Sequence, residues 1–209
     1  MTSRHPYDGR AVVFDLGNVL IRWDPFPAVA AGVGEVEAAR FLSAEDFDFL
    51  AWNHLQDAGR RWAEATDDLA ATHPHWHRHA VAYLAHFGRS LTGVLEANVA
   101  VLRDLHAAGI PVFALTNWSE ELFPHAVERF DFLGLFRDVV VSGAEGLAKP
   151  DPAVFALLRE RVGRPLERCV FIDDSPVNVA AAVAAGMDAM RYEPSVDLRA
   201  ELAGRGLPV

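Results

Sequence analysis

The chain has 209 residues, a formal charge of −10, 51% apolar side chains and a single cysteine, Cys169. That length suits one domain, or one domain carrying an insertion, and the apolar share argues against a disordered chain. The acidic balance disfavours nucleic acid and anionic membranes as partners. A lone cysteine fits a reducing cytoplasm, and no apolar run reads as a signal peptide or a membrane span.

The first apolar run, Ala11–Leu16, reads as a buried strand. Between it and the next strand lie apolar residues at helical intervals over Glu35–Leu42, Ala44–Asp57, Arg60–Asp68 and His75–Phe87. A structureless loop of that length is improbable, so residues 22–90 are expected to form a small helical module inserted after strand one. Val94, Leu95, Val99, Leu102 and Leu105 then keep helix spacing up to Gly109. Strands are expected at Pro111–Thr116, Asp138–Ser142, Cys169–Asp173 and Asp188–Tyr192, with a helix over Ser119–Phe132 between the first two. Two later helices open on Asp151-Pro152 and Ser175-Pro176, an N-cap followed by proline at the first helical position. The alternation predicts a doubly wound α/β domain. It is a mainly parallel, five-stranded, Rossmann-like sheet formed by residues 1–21 and 91–209, with 22–90 as an all-helical cap.

Ligands of such sheets bind beyond the carboxyl ends of the strands. Three strand ends here deliver Asp15, Thr116-Asn117 and Asp173-Asp174 to one edge. A single carboxylate after a strand is usually a helix cap, but three chemistry-bearing strand ends are hard to explain that way. Of the 19 basic residues only Lys149 is a lysine. Where charge alone matters this chain uses arginine, so the surviving ammonium is expected to face a small, crowded anion. Asp15 and Asp174, with the Gly17 carbonyl, could supply oxygens to Mg²⁺. A carboxylate can also accept a phosphoryl group, with Lys149, the Thr116 hydroxyl and backbone N–H groups stabilising the transferring oxygens and Asn117 adding a hydrogen bond.

Four motifs, Val12-Val13-Phe14-Asp15-Leu16-Gly17-Asn18-Val19, Leu115-Thr116-Asn117, Lys149-Pro150-Asp151-Pro152 and Phe171-Ile172-Asp173-Asp174, occur in that order. Together they resemble the haloacid dehalogenase-like hydrolase superfamily, in its phosphatase-type subgroup with a helical cap after strand one. The resemblance implies that Asp15 is the nucleophile forming an aspartyl-phosphate and that Thr116 and Lys149 bind phosphate. It implies that Asp174 binds Mg²⁺ with Asp173 in support, and that residues 22–90 close over the site. The expected substrate is a small phosphorylated metabolite, a sugar phosphate being one candidate. The sequence assigns no oligomeric state.

One position departs from the pattern. Most phosphatases of the family carry a second Asp two residues after the nucleophile as general acid and base; here that residue is Gly17, and neighbouring Asn18 cannot titrate. A subset resembling bacterial sugar-phosphate phosphatases shares Asp-Leu-Gly-Asn. Three consequences stay open: a slow enzyme, a preference for good leaving groups, or a proton donor elsewhere. The alternatives are a metal-independent 2-haloacid dehalogenase and a catalytically weak metabolite-binding protein; the Asp173-Asp174 pair favours phosphate over dehalogenation.

Two further signals are mostly structural in expectation. His73, His75, His77 and His79 have i,i+4 spacing used by zinc sites, but a solvated cap helix or hinge is the preferred reading. Trp23, Trp52, Trp62 and Trp76 are expected mostly to pack in the cap, with lining of a pocket as the alternative for some, and Trp118, next to Asn117, to stand at the active-site edge.

Overall fold

The computed structural model describes residues 9–209, so residues 1–8 of the expected segment 1–21 lie outside the described residues. In chain order the elements are β1 (Ala11–Phe14), β2 (Ile21–Trp23), α1 (Phe26–Val33), α2 (Glu35–Leu42), α3 (Phe49–Asp57), α4 (Trp62–Thr72), α5 (His77–Ala85), β3 (Leu91–Val94) and α6 (Glu96–Ala107). They continue with β4 (Val112–Thr116), α7 (Pro124–Arg129), β5 (Val139–Val141), α8 (Ser142–Glu145), α9 (Pro152–Val162), β6 (Cys169–Asp173), α10 (Pro176–Ala184), β7 (Asp188–Arg191) and α11 (Leu198–Gly204).

Five strands form one parallel sheet in the order β5-β4-β1-β6-β7. The fold is therefore α/β and Rossmann-like, as expected. β1 is central, pairing Phe14 with Ala114 on one side and Ile172 on the other. It is buried on both faces, which is why it reads as an unbroken apolar run. Val12 and Phe14 face one core, shared with α6 and the helices that follow β2; Ala11 and Val13 face the other, shared with α9.

The structure adjusts the expected elements at particular places. β2 and β3 pair antiparallel as a two-stranded ribbon, Ile21 opposite Val94 and Trp23 opposite Leu91, so Val94 belongs to a strand and not to the following helix. The expected helix 119–132 is only six residues long, α7, because Pro124 fits the first helical turn but not an interior. α3 starts at Phe49, where the Asp48 carboxylate accepts the Ala51 N–H at 3.0 Å. α1 was not visible as a separate helix in the sequence pattern. Asp151 does cap α9, accepting from the Ala153 N–H at 2.8 Å. α10 has no side-chain cap on its first turn: Ser175 does not provide one, and the Asp173 carboxylate instead accepts the Ser175 N–H.

Candidate active site

β1 ends one residue before Asp15, whose N–H donates to the Ile172 carbonyl at 2.8 Å. The chain then turns sharply back into β2. Asn18 sits at φ 53°, a left-handed conformation that Asn tolerates. Its Oδ1 accepts the Trp23 N–H at 3.2 Å, and Asn98 of α6 donates to the Val19 carbonyl at 2.7 Å, fixing the turn from both sides.

Lys149 lies in the loop between α8 and α9 and is only 1% exposed. Its ammonium donates to Asp15 Oδ1 at 2.8 Å, Asp173 Oδ2 at 2.7 Å and the Leu115 carbonyl at 2.9 Å. Three donors meet three acceptors, so the buried cation is fully satisfied. Burial opposes its charge, but Asp15 and Asp173 outweigh that and the net shift of its pKa is upward. Asn117 holds the lysine's backbone in both directions: its Nδ2 donates to the Lys149 carbonyl at 2.8 Å and its Oδ1 accepts the Lys149 N–H at 2.9 Å. This amide positions Lys149, a role not read from the sequence, and Asn117 also lines the cavity described below.

Asp173 is fully buried. Besides Lys149 it accepts the Ser175 N–H at 2.8 Å and the Asn178 amide at 3.1 and 3.2 Å, tying the start of α10 to the end of β6. Asp174 is half-buried and hydrogen-bonded by Asn18. Burial, then the Asp173 charge, raise the Asp174 pKa against Lys149 and these hydrogen bonds. Burial pushes Asp15 up to about 7, against the pull of Lys149 and with help from Asp173 and Asp174. Carboxylate oxygens of Asp15, Asp173 and Asp174 all lie within 4.8 Å of one another, the one such group of three acidic, histidine or cysteine ligands among the described residues. Thr116 is buried at the end of β4.

A cavity of about 210 Å³ opens beside this cluster, between the strand ends and the helical segment. Gly17, Asn117 and Trp118 line it from the sheet side; Asp57, Tyr83 and Phe87 line it from the other. A Cβ on Gly17 would meet nothing closer than Asp15 Oδ2 at 3.9 Å, so the missing side chain leaves open space. A larger cleft of about 690 Å³ along α9 is lined by Phe155, Arg159 and Arg164 and by Leu166 and Glu167, which precede β6; it contains no residue from the carboxyl end of a strand, so it is not the site.

The histidine run assembles no metal centre. His79 is buried, stacked on Phe41 at 5.2 Å, while His75 pairs with Asp46 at 2.8 Å. None of the four lines the cavity; the histidine that does is His54. Trp52, Trp62 and Trp76 are buried among aromatic neighbours, and the Trp23 indole donates to Tyr83 Oη at 3.3 Å. Sequence reading also missed Asp57, the last residue of α3. A carboxylate at the negative end of a helix dipole is an unfavourable placement, and that was the available signal.

Residues 10–186 match the family described as haloacid dehalogenase-like hydrolase. A phosphoglycolate phosphatase of Cereibacter sphaeroides is 30% identical over 202 residues, covering 90% of this chain and 89% of that protein. Drimenol cyclase drtB of Aspergillus calidoustus is 25% identical over 199 residues, 92% of this chain, which spans 36% of the cyclase's length. Among solved structures, a HAD family enzyme of Bacteroides thetaiotaomicron in a magnesium complex superposes with a TM-score of 0.73 at 20% identity, over 92% of this chain and 98% of that one.

Proposed function

The chain belongs to the haloacid dehalogenase-like hydrolases, and from that premise we propose that it is a magnesium-dependent phosphatase acting on a small phosphorylated metabolite through an aspartyl-phosphate on Asp15. The observation that carries the reading is the buried ammonium of Lys149 bonded to both Asp15 and Asp173, beside the third carboxylate of Asp174.

One lysine cannot balance three clustered carboxylates. Burial and mutual repulsion already raise the pKa values of Asp15 and Asp174, so the cluster lacks positive charge. A hard divalent cation with oxygen ligands fits that deficit. Asp173 spends its oxygens on Lys149, Ser175 and Asn178. Asp15, Asp174 and the Gly17 carbonyl are left to face the ion, with Asp173 supporting from behind. When bound, Mg²⁺ would neutralise phosphate charge and hold the carboxylates ionised.

The protein's own residues then divide the work. Asp15, held by Lys149 and by the backbone bond to Ile172, presents its carboxylate as nucleophile. Lys149 keeps Asp15 anionic and stabilises charge on the transferring oxygens, joined by the Thr116 hydroxyl. Asn117 positions the lysine. Trp118 lines the cavity that would take the leaving group, while Asn18, expected beside the substrate, holds the turn through the Trp23 N–H and bonds Asp174. Residues 22–90 act as a cap over a core of 1–21 and 91–209, and the buried, unpaired Cys169 suits a cytoplasmic protein. Among the described residues no helix is long and apolar enough to cross a membrane. A dehalogenase would gain nothing from the Asp174 carboxylate beside its nucleophile, which repels an anionic haloacid.

The test is a screen of phosphorylated metabolites run with Mg²⁺ and again with EDTA. Turnover that needs the cation supports the reading. Full turnover in EDTA, or activity on 2-haloacids alone, overturns it.

A further inference from the structure

We infer that Asp57, carried by α3 on the far side of the cavity, is the general acid and base of the reaction, taking the place of the side chain that Gly17 lacks. The inference rests on the phosphatase reading above.

The geometry comes first. Asp57 and Gly17 line the same cavity, and Asp57 lies near enough to Asp15 to feel its charge. The Asp57 carboxylate is steered by two donors, Asn53 Nδ2 at 3.0 Å and the Ser119 backbone N–H. Its own carbonyl accepts the Ser142 hydroxyl, so both ends of the residue are fixed to the sheet side. Two pocket-lining residues carry buried polar atoms without partners, Asn53 Oδ1 and Trp118 Nε1, which suits a ligand bearing hydroxyl or ester oxygens.

The environment favours the protonated acid. The groups facing Asp57 are Asp15 just beyond β1, Tyr83 from α5 and His54 on its own helix. Among the described residues no cation pairs with it: Arg60, three residues on, is bonded to Gln56 at 2.6 Å and lies 3.6 Å from Asp68. Burial raises the Asp57 carboxyl to about 7, with Asp15 adding to the rise and the two donors opposing it. An acid poised near neutrality can both give and take a proton.

The balance closes over two half-reactions. As an Asp15 oxygen bonds to phosphorus and the phosphorus–oxygen bond to the leaving group breaks, the Asp57 proton moves to that oxygen and an alcohol departs. Water then attacks the phosphorus of the Asp15 acyl-phosphate. The Asp57 carboxylate takes the water proton, the bond to Asp15 breaks, and phosphate leaves with both carboxyl groups restored.

The experiment is single-turnover phosphorylation of the full chain at saturating Mg²⁺, with p-nitrophenyl phosphate and n-butyl phosphate. Asp57→Asn should slow transfer from butyl phosphate by about 10²-fold or more. The loss on p-nitrophenyl phosphate should be at least about tenfold smaller, because nitrophenolate leaves without a proton. The wild-type butyl rate should fall as pH rises through about 7, and the variant should lack that limb. Adding Gly17→Asp, which enters open space, should recover at least about tenfold on butyl phosphate. Equal losses on both esters, or a butyl rate within about threefold of wild type, overturn the inference. If Asp57→Asn gives no cooperative melt, a wild-type butyl rate flat between about pH 6 and about pH 9 overturns it. An inactive Asp15→Asn beside an unaffected Asp57→Asn removes this inference and leaves the phosphatase reading; an active Asp15→Asn removes both.

Discussion

Replacing Lys149 by arginine tests whether this lysine is chosen for shape as well as charge. The ammonium is 1% exposed and spends its three donors on Asp15, Asp173 and the Leu115 carbonyl at 2.7–2.9 Å. It also lies 5.6 Å from the centre of the Phe171 ring. A guanidinium is planar, larger and carries five N–H donors, two more than the site can accept. Overpacking a close-packed interior costs about 1–3 kcal/mol, and a buried donor left unmade costs about as much again. For a chain of this size each kcal/mol moves Tm by roughly 2–4 °C, so a drop of several degrees is expected. Composition alone predicts a rate defect with little change in Tm; burial adds the thermal effect. A displacement of about 1 Å at the reacting centre can cost ~10²-fold. Turnover at saturating Mg²⁺ should therefore fall at least about tenfold, ~1.4 kcal/mol of barrier. Lys149→Ala should be worse, since it leaves two buried carboxylates facing each other, a change worth about 3–5 kcal/mol. The assay pairs kcat with a thermal melt. An arginine variant matching the parent in both would refute the placement of Lys149 at the reacting group.

Three further outcomes are expected. Asp15→Asn should abolish turnover while the melt stays cooperative, because the amide keeps the shape but is a very poor nucleophile; a near-native rate would make Asp15 structural. Asn117→Ala should lower kcat by about tenfold or more with a smaller change in KM, since the amide holds Lys149 and not the substrate; a pure KM effect would contradict this. Asp57→Asn should raise Tm at pH 8. The folded carboxyl titrates at about 7 and the unfolded one near ~3.9, so the native state holds the extra proton between them and stability falls as pH rises through that window. Above it the whole penalty of burying the charge is present, and the amide removes it; equal Tm values at pH 8 would show that Asp57 is not strained by its setting.

How much of this was legible in the sequence depended on how local the cause was. The three central strands β4, β1 and β6 are buried on both faces, so their apolar runs gave them away, and Cys169–Asp173 is bounded as expected. The β2–β3 ribbon was not legible, because strands of three and four residues carry no period and exist only through each other. Asp15, Lys149 and Asp174 were visible as strand-end and loop residues with an unusual composition behind them. Asn117 was visible, but its partner was not: which backbone it would hold depends on a loop 32 residues away. Asp57 was hidden because its protonation is set by burial and by Asp15, against the Ser119 N–H, and residues 15 and 119 come from distant parts of the chain.

That dependence on packing ties proton supply to closure. The helical segment meets the sheet side through the Asp57 carbonyl on Ser142, the Trp62 indole on Ser119 at 2.8 Å and the Trp62 N–H on Glu121 at 3.0 Å. Gly59, at φ 104°, brings its backbone against Gly146, where an added Cβ would stand 3.2 Å from the Gly146 Cα. Ser119 is bonded both to Trp62 and, through its N–H, to Asp57. Separating the two sides would break these contacts together and return Asp57 to water, where its carboxyl reverts to the ordinary range and is ionised at neutral pH. On the proposed reading the acid exists only while the two sides stay together. An Asp at position 17 would stand on the sheet side and keep its place however the cap moved. On the proposed reading, Gly17 with Asp57 makes proton transfer conditional on α3 lying against the strand ends.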